Sequence, residues 1–472
     1  MNDTGQETTK GQVHAGEHPR AGEPAHAPPS LPLLLVMLLT FTRVNRYTRT
    51  SLLVLGDASR AATRFSSFDF DPSKLLVALT LGLLLCFALL DRRRKVITVD
   101  PAGVWLIAYG VLGLVSLTWA LDPTWSLAPA LRFFQYVVLY VVIVSLTRSW
   151  HDLNHWGHTF LYLAPVTMAA AVQEVVAPVR SLGTVAGEEH GWYLFIYPCY
   201  ALLALPYALH YLVRGPSFRS RALSILALLS NLVVIFITQR RAAPLALGVL
   251  FISYAWFVGR RHRSFRVVLV TMVIFGALFA IGNASYLKRL STIPYLGGAD
   301  LSEWEGNPRL LLYQGGLAAF AEHPLLGLGA EGAAVYIRDV LGERSAAMEQ
   351  HALVLSVATD FGVVGLIVYG MFVAAVLSAL LRTIRRMRHA GCSLEADFAG
   401  AVLTSFLTVL FYSQFQAFQR SDPIYLCAAL GTATYLILRG PTPLTLAQSA
   451  DGSPTSGHGD PDLGDGGVAG GL

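Results

Sequence analysis

Two arginines stand side by side in FITQRRAAPL, residues 236–245, with a long apolar run on either side. A guanidinium is permanently charged and presents a planar fork of N–H donors that matches phosphate oxygens. Three further stretches place charge beside apolar runs. RSLGT carries Arg180, NPRLLLYQGGLAAFAEHPLLGLGAE carries Arg309, and EQHALVLSVATDFGVVG carries His351 and Asp360. Converging with Arg240 and Arg241 on one cavity, these arginines would hold a diphosphate at the level of lipid headgroups. His351 would then serve an attacking hydroxyl as proton acceptor, because an ordinary histidine titrates at about pH 6.5.

Each residue also has a plainer reading. A single arginine at a membrane edge is most often a snorkelling anchor, and Arg43, Arg46 and Arg49 read that way. Arg309 follows Asn307-Pro308, a helix-start signal, and reads equally well as a first-turn charge. His351 alone reads as a satisfied interfacial histidine, and Asp360 as a cap at a helix break before Gly362. Glu188, Glu189 and His190 read as a solvated turn. What lifts the set above its members is that all of it falls on one side of a membrane, which is a matter of topology.

The 472 residues are 54% hydrophobic and 14% charged, with a mean hydropathy of +0.52. A soluble domain carries about a quarter charged residues, so the balance indicates a membrane-embedded chain. Apolar runs of about 20 residues recur, long enough to cross roughly 30 Å of hydrocarbon as helices. The expected fold is all-α, a polytopic transmembrane helical bundle. About twelve crossings fall near residues 33–42, 75–90, 104–121, 127–146, 156–176, 192–213, 222–238, 242–258, 267–281, 362–381, 398–418 and 424–438. The expected organisation is a disordered tail over 1–30, spans over 31–281, a large helix-containing loop over 282–351, spans over 352–438 and a second disordered tail over 439–472. The four cysteines are scattered, and no His/Cys spacing or outer-side Asp-x-Asp pair points to a metal site.

Lys and Arg set the orientation. Arg92–Lys95, Arg214 with Arg219 and Arg221, Arg260 to Arg266, and Arg382 with Arg385, Arg386 and Arg388 fall at alternate span ends, hence on one side. The positive-inside rule makes that side cytoplasmic, with both termini there. Arg240 and Arg241 break the rule, and a ligand explains them better than topology does. The loop over 282–351 is far longer than an ordinary connection, which marks it as functional.

Four stretches, in order, resemble the O-antigen ligase and polymerase family of bacterial envelope glycosyltransferases. LTWALDPTWSLAPALRFFQYVVLY resembles its Trp-Ser-x-Asp-Pro segment, followed by a span with an embedded arginine, here Arg132. RSLGTVAGEEHG resembles its Arg-x-x-Gly-Thr loop, and FITQRRAAPLALG its Thr-x-Ser-Arg-Gly junction, with Arg241 at the arginine position. RLLLYQGGLAAFAEHPLLGLGAE and QHALVLSVATDFGVVGL resemble its arginine helix, His-Pro-Leu-x-Gly-x-Gly turn and histidine-led helix. The chain departs from the family pattern at Arg240, Ala242, Ala352 and Asp360.

The resemblance implies a GT-C-like glycosyltransferase of the bacterial inner membrane, inverting and metal-independent, without a cofactor, acting on the periplasmic face. Its donor would be a glycan on undecaprenyl diphosphate. Its acceptor would be a sugar hydroxyl, on the lipid A-core of lipopolysaccharide for a ligase or on another carrier-linked glycan for a polymerase. Membrane lipid is the remaining partner, and no nucleic acid is expected. Catalysis would rest on His351, Arg309 and Arg241, diphosphate binding on these arginines with Arg180 and Arg240, and support on Asp360 and Arg132. A lipid or solute transporter is the rival from another class, but transporters place polar groups near mid-membrane, whereas charge here gathers at one face. A structural scaffold would leave the outer arginines without a purpose.

Overall fold

The computed structural model describes residues 82, 100–180, 196–238, 240, 242–258, 266–267, 269–273, 276, 308–340, 352–415 and 422–439. These residues are helical with connecting turns, and no strand occurs among them. In chain order the helices are α1 (Pro101–Val115), α2 (Pro123–Leu146), α3 (Trp150–Arg180), α4 (Ile196–Arg214), α5 (Phe218–Ile237) and α6 (Ala242–Phe257). They continue with α7 (Pro308–Glu322), α8 (Gly332–Val340), α9 (Leu353–His389), α10 (Ser393–Tyr412) and α11 (Asp422–Arg439). Short 3-10 turns extend α1 to Thr118 and α10 to Phe415.

The helix starts are written in local chemistry. Asp100 and Asp122 each cap a helix whose next residue is proline, a residue with no N–H to leave orphaned. The Asp122 carboxylate accepts from the Thr124 and Trp125 amides at 3.0 and 3.1 Å. Ser217 caps α5 by accepting from the Ser220 amide at 3.1 Å.

Among the described residues six helices are long and apolar enough to cross a membrane: Pro101–Thr118, Pro123–Leu146, Ile196–Arg214, Phe218–Ile237, Leu353–His389 and Ser393–Phe415. The apolar α6 is shorter. The chain is a multi-pass membrane protein. The expected run at 33–42, all but residue 82 of the run at 75–90, and most of 267–281 lie outside the described residues, as do both tails apart from Arg439. Helix α4 runs through the middle, against α3, α5, α6, α10 and α11, and every residue from Ile196 to Tyr211 is buried. By contrast α1 leaves Val104, Ile107, Val111 and Val115 exposed along one stripe, as a helix facing lipid should.

One end of the bundle is basic. Arg214 at the end of α4 pairs with Asp397 in α10, Nε to Oδ2 at 3.0 Å. From the last turn of α9, Arg386 Nη1 donates to the Arg439 carbonyl of α11 at 2.6 Å, and Arg388 donates to the Phe257 carbonyl of α6. Trp150, at the start of α3, packs edge-on against Phe398. The arginines of 214–221 and 382–388 therefore gather at the same end, as their alternation along the sequence requires. Helices α3 and α5, about 45 and 30 Å long at 1.5 Å per residue, carry their far ends to the opposite side.

Candidate functional site

The end opposite the basic arginines is built around a break in α9. Gly362 adopts φ 64° and ψ −157°, which separates a short segment over 353–361 from the long segment that follows. Such a break orphans amides on one side and carbonyls on the other. Four of these groups are satisfied by one turn of the chain, residues 323–330, HPLLGLGA. The Val363 and Val364 amides donate to the Pro324 and Leu325 carbonyls at 2.8 and 3.3 Å. The Leu328 and Gly329 amides donate to the Thr359 and Asp360 carbonyls at 2.9 Å each. The turn thus acts as a strap laid across the break, backbone against backbone.

That approach requires glycine at two places. A Cβ on Gly362 would collide with the Leu325 carbonyl and come within 2.6 Å of the Leu326 nitrogen. A Cβ on Gly327, itself at φ 64°, would meet the Asp360 carbon and Phe361 nitrogen at 2.5 Å. The pattern HPLLGLG suggests hinge glycines under a mobile flap. In the structure these glycines lie pressed against the α9 break and the α1–α2 turn.

The α1–α2 turn is sewn to the same strap. The Trp119 indole N–H donates to the Leu326 carbonyl at 3.2 Å, and the Leu121 amide to the Leu328 carbonyl at 3.2 Å. Beneath it, Tyr109 of α1, Phe133 of α2 and Phe361 of α9 meet pairwise edge-on, with ring centroids 5.3 to 5.6 Å apart. On the other side α7, α8 and the strap share a small core of Leu312, Ala319, Leu328, Tyr336 and Ile337. The Tyr336 hydroxyl donates to Glu322 Oε1 at 2.7 Å, and this bond holds the phenol above its ordinary pKa, so it remains a donor.

The residues picked out in the sequence fall on this frame as follows. Asp360 is buried in the last turn before the break, and its carbonyl takes the Gly329 amide. Arg309 is the second residue of α7, one turn before Leu312 in the small core. The helix start signalled by Asn307-Pro308 is thus present, in a helix over Pro308–Glu322 with Arg309 in its first turn. Arg240 is half-buried at the junction of α5 and α6, where its carbonyl accepts from the Ala243 amide at 3.1 Å. Arg180 is the last residue of α3. These four positions share the end opposite Arg214 and Asp397. Arg241 and His351 lie outside the described residues. Arg132 sits on the exposed face of α2 between the exposed Leu131 and Phe134, next to Phe133 of the aromatic cluster. Among the described residues no group of three or more His, Cys, Asp or Glu is placed to hold a metal ion.

Sequence reasoning missed Trp119 and the fastening role of the glycines. The signal was present, since two glycines two apart in a loop and a third in a span imply close backbone approach. Their partner, however, was some thirty residues away.

Residues 225–370 match the family model described as O-Antigen ligase. The matched stretch runs from within α5 to within α9 and contains Arg240, Arg241, Arg309, the strap, His351 and Asp360. No curated protein matches the chain.

Proposed function

Starting from a chain whose residues 225–370 belong to the O-antigen ligase family, we propose a membrane transferase that moves a glycan from a polyprenyl diphosphate carrier to a sugar hydroxyl. The family supports an O-antigen ligase- or polymerase-type membrane glycosyltransferase. What supports the finer reading is that the positions of Arg180, Arg240, Arg309 and Asp360 fall on elements at the end of the bundle opposite the basic arginines. Arg241 and His351 directly adjoin described elements at that end, one between Arg240 and α6, the other just before the α9 cap residue Ala352.

The diphosphate is already a good leaving group, so the protein's main task is to stabilise negative charge as the anomeric C–O bond breaks. Arg241 and Arg309 take that task, with Arg180 and Arg240 in support, and removal of one such donor typically costs about a hundredfold in rate. His351 accepts or orients the proton of the attacking hydroxyl, which adds to the face of the anomeric carbon opposite the leaving oxygen and inverts it. Asp360 acts from behind, through the α9 break that the strap holds. The site faces the periplasm if the basic end is cytoplasmic. Between ligase and polymerase we favour the ligase, with lipid A-core as acceptor.

Purified protein in vesicles, given a carrier-linked glycan and an acceptor with no energy source, should form the glycosylated acceptor and release the diphosphate carrier. Arg309→Ala should lower that rate about a hundredfold. Full transfer by Arg309→Ala at normal expression would remove the arginine from the mechanism. In a deletion strain, long chains stranded on the carrier identify a ligase, and single repeat units a polymerase.

A further inference from the structure

The strap carries a feature that its backbone role does not use. Leu325 and Leu326 are 68% and 45% exposed. They stand at the top of an exposed apolar stripe on α9 formed by Val363, Val364, Ile367 and Met371, spaced as one helix face. Leu325 joins that stripe directly, because its carbonyl takes the Val364 amide.

The depth of the strap follows from α9 itself. From Gly362 to Arg382, the first of the basic residues that close the helix, is 20 residues, or roughly 30 Å of α-helix. This equals the thickness of a hydrocarbon core, also roughly 30 Å. With Arg382 at one boundary, Gly362 and the strap lie at the other. Two observations agree with that depth. A helix break facing lipid must have its backbone groups satisfied by protein, and the Val363, Val364, Thr359 and Asp360 groups are all paired by the strap. Trp119, whose indole N–H binds the Leu326 carbonyl, is the residue type that favours the lipid–water boundary.

We infer that the 323–330 strap is a membrane-seated element, with Leu325 and Leu326 inserted among the acyl chains of the leaflet opposite the basic end. The occupant of this surface is bulk lipid. The loop region around α7 and α8 is then pinned to the bilayer surface at the strap rather than standing free in water. The inference rests on the membrane-crossing helices and not on the catalytic assignment, so either can fail without the other.

The test uses the full chain in phospholipid vesicles. Single cysteines replace Leu325, Leu326, Ile367 or His389 in a background without Cys86, Cys199, Cys392 and Cys427, and each is labelled with an environment-sensitive fluorophore. Labels at 325 and 326 should emit to the blue of the label at 389. They should be quenched more by lipid carrying a shallow spin label than by a deep one, while at 367, five helical residues deeper, the deep label should gain on the shallow one. Emission and aqueous iodide quenching at 325 and 326 matching those at 389 would overturn the proposal. So would protection from both lipid and aqueous quenchers, which would mean that another segment of the chain covers the leucines. Because removing buried cysteines can impair folding, a photo-crosslinking residue at 325 in the otherwise unaltered chain gives a second measurement. A phospholipid adduct is expected, and a peptide adduct or a water-quenched product alone would overturn it.

Discussion

The two ends of the bundle are held by different chemistry. At the basic end, helices are tied by side chains: Arg214 to Asp397, Arg386 to the end of α11, Arg388 to the end of α6. At the opposite end the break in α9, the strap and the α1–α2 turn are joined mainly by amides and carbonyls, with the Trp119 indole as the side-chain contribution. Side-chain ties tolerate adjustment, since an arginine can reorient and solvent can replace part of what is lost. A backbone splice has no rotamer to change. The end that carries Arg180, Arg240, Arg309 and Asp360 is therefore the one whose geometry is least adjustable, which suits the proposed placing of charges against a developing negative centre.

The sharpest way to break the comparison is Gly362→Ala. The backbone there lies where only glycine rests without strain, and the new Cβ would strike the Leu325 carbonyl. Relief requires lifting the strap and exposing four backbone groups, so the loss should reach about 3 kcal/mol or more. Transfer activity should fall with it, and limited proteolysis should cut near residue 325 while the basic end stays intact. Wild-type activity in this variant would mean that the strap does not position the site.

Next in size is Asp397→Asn. The pair with Arg214 is partly buried and bidentate from the arginine, Nε and Nη2 both reaching Oδ2. Between the values for exposed and buried pairs, about 1–2 kcal/mol is expected. Thermal melting in detergent should register it, with transfer per folded molecule unchanged. An activity loss as large as that of Gly362→Ala would dissolve the distinction between the ends.

How far each end was legible in the sequence follows the same division. The basic end was readable because Arg214, Arg219, Arg221 and the arginines of 382–388 advertise themselves by charge, and their alternation between spans forces them together. The α7 start was readable from Asn307-Pro308, and the break from Gly362 after Asp360. The strap was not. Its bonds use groups that every residue has, so nothing in HPLLGLG says that Leu328 will donate to Thr359 or that Leu326 will accept from Trp119. Arg132 shows the converse. Its charge within a span drew attention as a supporting residue, yet it lies on the exposed face of α2, and only its neighbour Phe133 packs under the break.

Trp119→Phe tests the side-chain bond that ties the α1–α2 turn to the strap. Phenylalanine keeps most of the ring but loses the N–H that binds the Leu326 carbonyl. The net cost of one such bond is about 1 kcal/mol. Because the strap remains held by backbone bonds, the rate constant for transfer should fall by severalfold at most, with little change in the amount of folded protein. Histidine at 119 should recover part of the loss, since it restores a ring N–H near that carbonyl.

The smallest effect should come from Arg386→Gln. Its guanidinium donates to the Arg439 carbonyl at 2.6 Å, at the carboxyl end of α11 where helix dipole and unpaired carbonyls favour a cation. The contact is exposed, so water and salt compete for it, and about 0.5 kcal/mol is expected. That loss should shrink further as ionic strength rises, because exposed charges are screened over about 10 Å at 0.1 M salt. The Gly362→Ala deficit should respond far less to salt, since the bonds that the strap makes across the break are between backbone amides and carbonyls. Melting both variants across a salt series separates the two kinds of tie directly. Parallel salt dependence would mean that the opposite end is also held by charge, and that backbone geometry is not what fixes the site.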